Sequence, residues 1–280
     1  MKKILVILVL VIVLFSVCAC SYVPSTRFMS RSQVNSLVKQ YPNPQAEMTL
    51  SYENDNYGVK QKFTIVITYD LLLDQAPLAV IRFIKLANDG AYDGTIIDTY
   101  NSSTNYMLLG RYFYEGNEKF CYPNNNLNVR FKGEFASNNY REPDNGFAEF
   151  KSFSLAMYHD DYIDEKNANF DTANGALILA TNTKTLNYKN YAVFAHLASM
   201  TYTVSDKSGD KTLYQGSKVD SDARTNLVTL ADTRTSSRKI YSDVNKEKEL
   251  PSFSMVNTII TVQIRMLGDY DWSKLPRIGR

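Results

Sequence analysis

The apolar residues divide the chain into stretches of different character. An unbroken apolar run, Ile4 to Phe15, follows Lys2 and Lys3. It falls short of the roughly 20 apolar residues a membrane-spanning helix needs. A basic pair, a short apolar stretch and then small residues form the plan of an export signal over residues 1–19. From there to Ala46 no period emerges. Pro24, Pro42 and Pro44 stand among Ser, Arg, Gln and Asn, which predicts a flexible tether over 20–46. A short amphipathic helix around Gln33 to Gln40 fits there, with little to contribute.

From Met48 the pattern turns to strands. Phe63, Ile65, Ile67 and Tyr69 alternate with polar or smaller neighbours, the period-2 signal of a half-buried strand. A helix follows, with Pro77 at its first position and Val80, Phe83, Ile84 and Ala87 at helical spacing, ended by Gly90. Ala91 to Tyr100 reads as a turn into a strand. Further strands are predicted at 106–109, 153–157, 177–180, 191–194 and 259–266. In the last, Ile260, Val262, Ile264 and Met266 alternate with Thr261, Gln263 and Arg265. Residues 203–249 are polar and poor in apolar anchors, which predicts a long insertion of low local stability. The reading is a mainly β domain over 47–268, interrupted by that insertion before its last strand, with a tail at 269–280. Trp272 is placed to dock the tail onto the barrel, the alternative being an exposed ligand contact.

Composition narrows the chemistry. The 280 residues are 44% hydrophobic, enough for one or two cores. With 31 Lys and Arg against 29 Asp and Glu, the net charge of +2 leaves no excess for gripping a phosphate backbone, so nucleic acid is not expected as a partner. The two surplus cations are those of the signal. Of the three cysteines only Cys121 lies in the domain, so no disulfide frame holds it, and its Phe120 and Tyr122 neighbours suit packing better than a nucleophile. Only His159 and His196 occur, which excludes multi-histidine metal sites. His159 reads as exposed in a loop and His196 as structural. Asp160, Asp161, Asp164 and Glu165 offer calcium-type oxygens, but their spacing departs from the alternating EF-hand pattern and favours a solvated loop. No metal and no cofactor is expected.

Two resemblances add to this reading. Val17-Cys18-Ala19-Cys20 resembles the lipobox of bacterial lipoproteins, with Cys20 as the lipid-bearing residue. The resemblance implies export and lipid anchoring to the outer face of the cell membrane. An ordinary secretory signal and an uncleaved anchor are the alternatives.

Phe63 to Tyr69, followed by Asp74-Gln-Ala-Pro77-Leu-Ala-Val80-Ile-Arg-Phe83-Ile-Lys-Leu86-Ala-Asn-Asp-Gly90-Ala-Tyr92-Asp-Gly94-Thr95, resembles the opening of the cyclophilin-type peptidyl-prolyl isomerases. Phe153-Ser-Leu155-Ala-Met157, and Asn174-Gly175 through Tyr191-Ala-Val193-Phe194-Ala195, are similar to later blocks of that family. The likeness covers about 48–200 and resumes at 257–267. It implies an eight-stranded antiparallel β-barrel capped by two helices, and proline-containing or extended polypeptides as partners. The family rotates the bond before proline, whose barrier is about 18–20 kcal/mol. An arginine near the prolyl nitrogen weakens the amide resonance while an apolar pocket holds the ring. Carried over by position, the arginine falls on Thr99, a neutral, short side chain that cannot supply the charged fork. Arg111 stands close in sequence as a substitute cation. The groove positions fall on Tyr106, Met107, Leu109, Ala176, Ile178, Leu186 and Tyr191, which keep apolar character while two glutamines of the family are replaced by Leu109 and Ala176. The expectation is a membrane-anchored isomerase-like protein with weak or lost catalysis, or a peptide-binding module using the remnant groove.

Overall fold

The computed structural model describes residues 22–279, apart from 25–26, 57–58, 104, 115, 117–119, 122–130, 145, 160–172, 183–185, 233–234, 242–248 and 257. The signal, Cys20 and the 160–165 acidic cluster lie outside the described residues.

Eight strands close on themselves. In ring order they are β5 (Tyr106–Tyr114), β4 (Thr95–Asn101), β13 (Thr261–Leu267), β2 (Gln45–Asn56), β3 (Val59–Leu71), β9 (Val193–Asp206), β7 (Leu155–His159) and β8 (Ala173–Ala180). β8 pairs back to β5 through Tyr106↔Ala180 and Leu109↔Leu177. Every pairing in the ring is antiparallel. The expected eight-stranded antiparallel barrel is present. Closure satisfies both edges of every ring strand, which an open sheet of these lengths would leave exposed. β10 (Gly209–Gly216) extends the wall from β9, and β6 (Phe120–Cys121), β11 (Thr235–Tyr241) and β12 (Glu249–Val256) extend it from β5.

The alternation seen in sequence sets what fills the barrel. Met48, Leu50, Ile65, Ile67 and Tyr69 point inward and are fully buried. Helix α2 (Pro77–Asn88) packs among them with Leu78, Val80, Ile81, Phe83, Ile84 and Leu86 buried, so it is apolar nearly all round, as an enclosed helix must be. It ends where Gly90, at φ 65°, lets Gly90 N–H reach Ala87 O at 3.1 Å and Ala91 N–H reach Leu86 O at 2.9 Å. Its other end lacks a local cap, since Ala76 has no side-chain acceptor. Glu134 supplies one from a distant loop: its Oε2 accepts from Ala79 N–H at 3.0 Å and also from Leu78 N–H. Glu134 is 2% exposed, and burial, against those two backbone bonds, pushes its carboxyl up to about 8.

Three sequence expectations need correction. Residues 31–46 are not tether: α1 (Arg31–Gln40) starts with a Ser30–Gln33 capping box and buries Val34 and Leu37 in the barrel's core cluster, and β2 follows from Gln45. The short amphipathic helix expected around Gln33 to Gln40 is present, and its two buried apolar residues tie it to the core rather than leaving it with little to contribute. The 203–249 stretch is not a loose insertion. β9 runs through it to Asp206, β10 pairs with β9, and α3 (Ser221–Asp232) buries Ala223, Leu227 and Ala231 in the same core. That stripe has a strict four-residue step, but two of its members are alanines, so composition conceals it. The helices therefore number three among the described residues, rather than two. His159, expected in solvent, is buried: its Nε2 lies 2.9 Å from Asn190 O and its ring stacks 5.0 Å from Tyr191.

The first and last described strands meet each other. β1 (Tyr22–Pro24) pairs in parallel with β14 (Arg277–Gly279). Trp272 stacks on Tyr41, at the C-terminal end of α1, with ring centroids 5.3 Å apart, and lies 4.9 Å from Tyr270. Trp272→Ala removes both ring contacts and is expected to cost about 2 kcal/mol, read as a lower midpoint in thermal unfolding; an unchanged midpoint would mean the tail is not held there.

Candidate functional site

The face corresponding to the expected groove is formed by the outer sides of β5, β7 and β8. Strand alternation sorts its residues. On β5, Tyr106 and Leu108 look outward while Met107 and Leu109 are fully buried in the barrel core. Met107 and Leu109 are therefore core residues, and Leu108 takes the place on the face. On β8, Ile178 and Ala180 look outward and Leu177 and Leu179 inward. Tyr106, Ile178, Leu186 and Tyr191 come together in one outer apolar cluster with Leu108, Val193 and Phe150, while Ala176 lies two residues before Ile178 and is 5% exposed.

The cluster is covered by its own chain. Phe150 sits edge-on to Tyr191 at 5.8 Å, and the backbone carbonyl of neighbouring Glu149 lies 2.9 Å from His196 Nε2, which holds the segment down. His196 is thereby a structural group; burial pushes its pKa below the ordinary value against the opposing Glu149 bond. Ile178 is 1% and Leu108 4% exposed. Tyr106, Tyr158 and Tyr191 remain half-buried at the rim.

Beside this cluster, two irregularities face each other across the β4–β5 pair. Thr95 pairs with Phe113 and Ile97 with Leu109, so β5 carries two extra residues there; Ile97 then pairs with Leu109 and Thr99 with Leu108, so β4 carries Asp98 as its own extra residue. Gly110, at φ 84°, starts the bulge on β5, and a Cβ there would come 3.3 Å from the Tyr92 ring. These bulges aim Arg111 at Asp98. Arg111 Nε donates to Asp98 Oδ2 at 3.2 Å, and Nη2 bonds both Asp98 Oδ1 and Thr99 Oγ1, the latter at 2.8 Å. The Thr99 hydroxyl in turn donates to Asp98 Oδ1 at 2.7 Å.

Electrostatics lock this arrangement. Asp98 has no exposed side-chain surface and Arg111 retains 26% of its own. Burial works against the Arg111 charge, but the Asp98 carboxylate outweighs it, with Tyr112 and Tyr158 adding to the pull, and lifts the guanidinium above its ordinary value. The rings of Tyr112 and Tyr158 each lie 5.6 Å from the guanidinium carbon. A cation thus stands at the position where the resemblance puts Thr99, supplied from the neighbouring strand, but its Nε and Nη2 are engaged inside the protein. Sequence reading passed over Asp98, Leu108, Phe150 and Tyr158. The signal for the first was available: a carboxylate between Ile97 and Thr99 in an apolar strand needs a buried partner, and Arg111 on the next strand is the nearest cation.

Comparison with known proteins gives the family. The family model described as cyclophilin type peptidyl-prolyl cis-trans isomerase/CLD matches residues 61–233, more than half of the chain and running through α3. The chain belongs to the cyclophilin-type peptidyl-prolyl cis-trans isomerase family. Among solved structures it is similar to a cyclophilin-type isomerase of Cryptosporidium parvum, crystallised in the presence of the dipeptide Ala-Pro, at 13% identity over 79% of this chain and 99% of that one, with a TM-score of 0.36. It is also similar to the cyclophilin AquaCyp293 of Hirschia baltica, at 10% identity over 82% and 99%, with a TM-score of 0.30. No curated protein matches the chain.

Proposed function

We propose that this protein is a cyclophilin-type domain lipid-anchored at Cys20 to the outer face of a bacterial cell membrane, acting on proline-containing or extended segments of exported polypeptides with weak or lost isomerase catalysis. One observation carries the catalytic part: the cation beside Thr99 is engaged by Asp98 and Thr99 rather than held open toward a peptide. A guanidinium whose charge is already balanced, and whose fork already has acceptors, contributes little to weakening a prolyl amide bond. The covering of Ile178 and Leu108 by Phe150 and Leu186 supports the same conclusion for the proline pocket.

In a protease-coupled isomerisation assay on the purified chain, kcat/KM is expected about 10²–10³-fold below that of a cyclophilin whose arginine faces the substrate, the scale of losing one preorganised donor. Turnover equal to that of such a cyclophilin would overturn the reading. The half-buried rim of Tyr106, Tyr158 and Tyr191 favours a second role, capture of extended peptides without turnover, because tyrosines give large contact area with a polar tip. An array of proline-containing peptides that returns no binder would remove it.

A further inference from the structure

The outer cluster on β5, β7 and β8 is filled by a piece of its own chain. Residues 147–152 cross that face as neither helix nor strand. Their burial alternates: Ala148 and Phe150 are buried, whereas Glu149 and Lys151 are exposed. A period of two is what an extended backbone gives when it lies flat on a surface and sends every second side chain into it. Ala148 and Phe150 enter the cluster beside Leu108, Ile178, Leu186 and Val193, and Phe150 meets Tyr191 edge-on.

This strap is held as a groove holds a separate peptide. Among the described residues, Phe147 to Phe150 make no backbone–backbone hydrogen bond. The backbone is gripped by a side chain instead, with His196 Nε2–H donating to Glu149 O at 2.9 Å. Upstream, the Arg31–Asp144 ion pair at 2.6 Å has side chains 34% and 76% exposed, so it adds little hold. Downstream the chain is fixed. Phe153 N–H donates to Ala180 O at 2.6 Å and the Phe153 ring is fully buried, which keeps this bulky residue at φ 63°, a left-handed conformation it would otherwise avoid.

What fills the face also indicates what the face selects. The strap presents a small and a large apolar side chain two positions apart on an extended backbone, and residues 146–152 include no proline. We infer that the outer face of β5, β7 and β8 is a binding site for extended peptides with apolar side chains at alternate positions, with or without proline, and that residues 147–152 are a tethered pseudo-ligand which such a peptide displaces. This deepens the peptide-binding reading above and rests on it. A short tethered competitor acts at a roughly millimolar effective concentration, so the apparent affinity of a free peptide falls with the fraction of chains whose strap is open.

The probe is a fluorescein-labelled heptapeptide, Gly-Phe-Ala-Glu-Phe-Lys-Ser, which has the sequence of residues 146–152, with a companion carrying Asp at its third and fifth positions. In fluorescence anisotropy the heptapeptide is expected to bind the full chain weakly and Phe150→Ala about tenfold more tightly, since the variant vacates the site. The companion should bind neither, and circular dichroism checks the fold of the variant. A second measurement leaves the parent packing in place: with 4-fluorophenylalanine in place of Phe150, saturating heptapeptide should move the fluorine resonance from a buried to a solvent-exposed position. Heptapeptide binding with an unmoved resonance, and with equal affinity for parent and Phe150→Ala, would put the peptide outside the cluster; that overturns the inference and leaves the reading above standing. A companion that binds as tightly as the heptapeptide overturns the selection of alternate apolar side chains. If neither the heptapeptide nor any proline-containing peptide binds, the inference and the peptide-binding reading fall together.

Discussion

Arg111→Ala is expected to destabilise the protein by about 3–5 kcal/mol, because it leaves Asp98 charged, fully buried and without its cation. The loss exceeds that of an ordinary surface ion pair, worth about 0–1 kcal/mol, since neither the bulged backbone nor the outer cluster gives Asp98 access to water. The paired replacement Asp98→Leu with Arg111→Met removes both charges and is expected to recover most of the stability. Urea unfolding of the three chains measures this directly. The same set tests the functional reading. If the pair is structural, the recovered double variant keeps whatever isomerase activity the parent has; if Arg111 faces substrate, activity stays lost although the fold returns. A single variant as stable as the parent would mean that the ion pair does not hold the β4–β5 bulges together.

Glu134→Gln is expected to raise stability at pH 8 by an amount of the order of 4 kcal/mol and to change little at pH 4. The carboxyl's folded pKa of about 8 stands above the unfolded value of 4.5, with burial as the cause. Below 4.5 the group is protonated in both states, and its neutral form contributes fully to the folded protein. Between 4.5 and 8 the unfolded chain gives up its proton while the folded one retains it, so stability falls as pH rises, and the loss is complete above 8. The amide oxygen of Gln still accepts from Ala79 N–H and Leu78 N–H, so the end of α2 stays capped without a buried charge. Comparing the two chains across pH cancels the contribution of every other titrating group. Parallel curves for parent and variant would show that Glu134 is not held neutral.

The strands and α2 were legible because each buries one face continuously, and burial of a continuous face requires either a period of two or an apolar helix. Phe63 to Tyr69 and Ile260 to Met266 display the first, and Pro77 to Ala87 the second. α1 was legible only as a short amphipathic stretch and α3 not at all, for a common reason: each reaches the core through two or three residues, Val34 and Leu37 in one, Ala223, Leu227 and Ala231 in the other, set among polar neighbours that face solvent. β10 escaped because it is held by backbone pairing to β9, and its side chains, exposed along most of their length, carry no hydrophobic signature. At the site, carrying positions across from the family placed Tyr106, Ile178, Leu186 and Tyr191 on one face but also put Met107 and Leu109 there. A strand cannot present consecutive residues to one side, and the barrel interior claimed both.

By itself the sequence determined the half-buried strands, the apolar helix that starts at Pro77 and the single cysteine of the domain, because these follow from local periodicity and from residue identity, while the closed barrel and the assignment of the arginine position to Thr99 came from the family resemblance. Only the tertiary structure decided where the Arg111 guanidinium goes. The meeting of Arg111 with Asp98 depends on two bulges in different strands shifting their registers by different amounts, and pairing register is a property of the assembled sheet. The same holds for the first and last described strands: nothing near Tyr22 or Arg277 in sequence predicts their pairing, which is formed where the Trp272 turn stacks on Tyr41 at the end of α1.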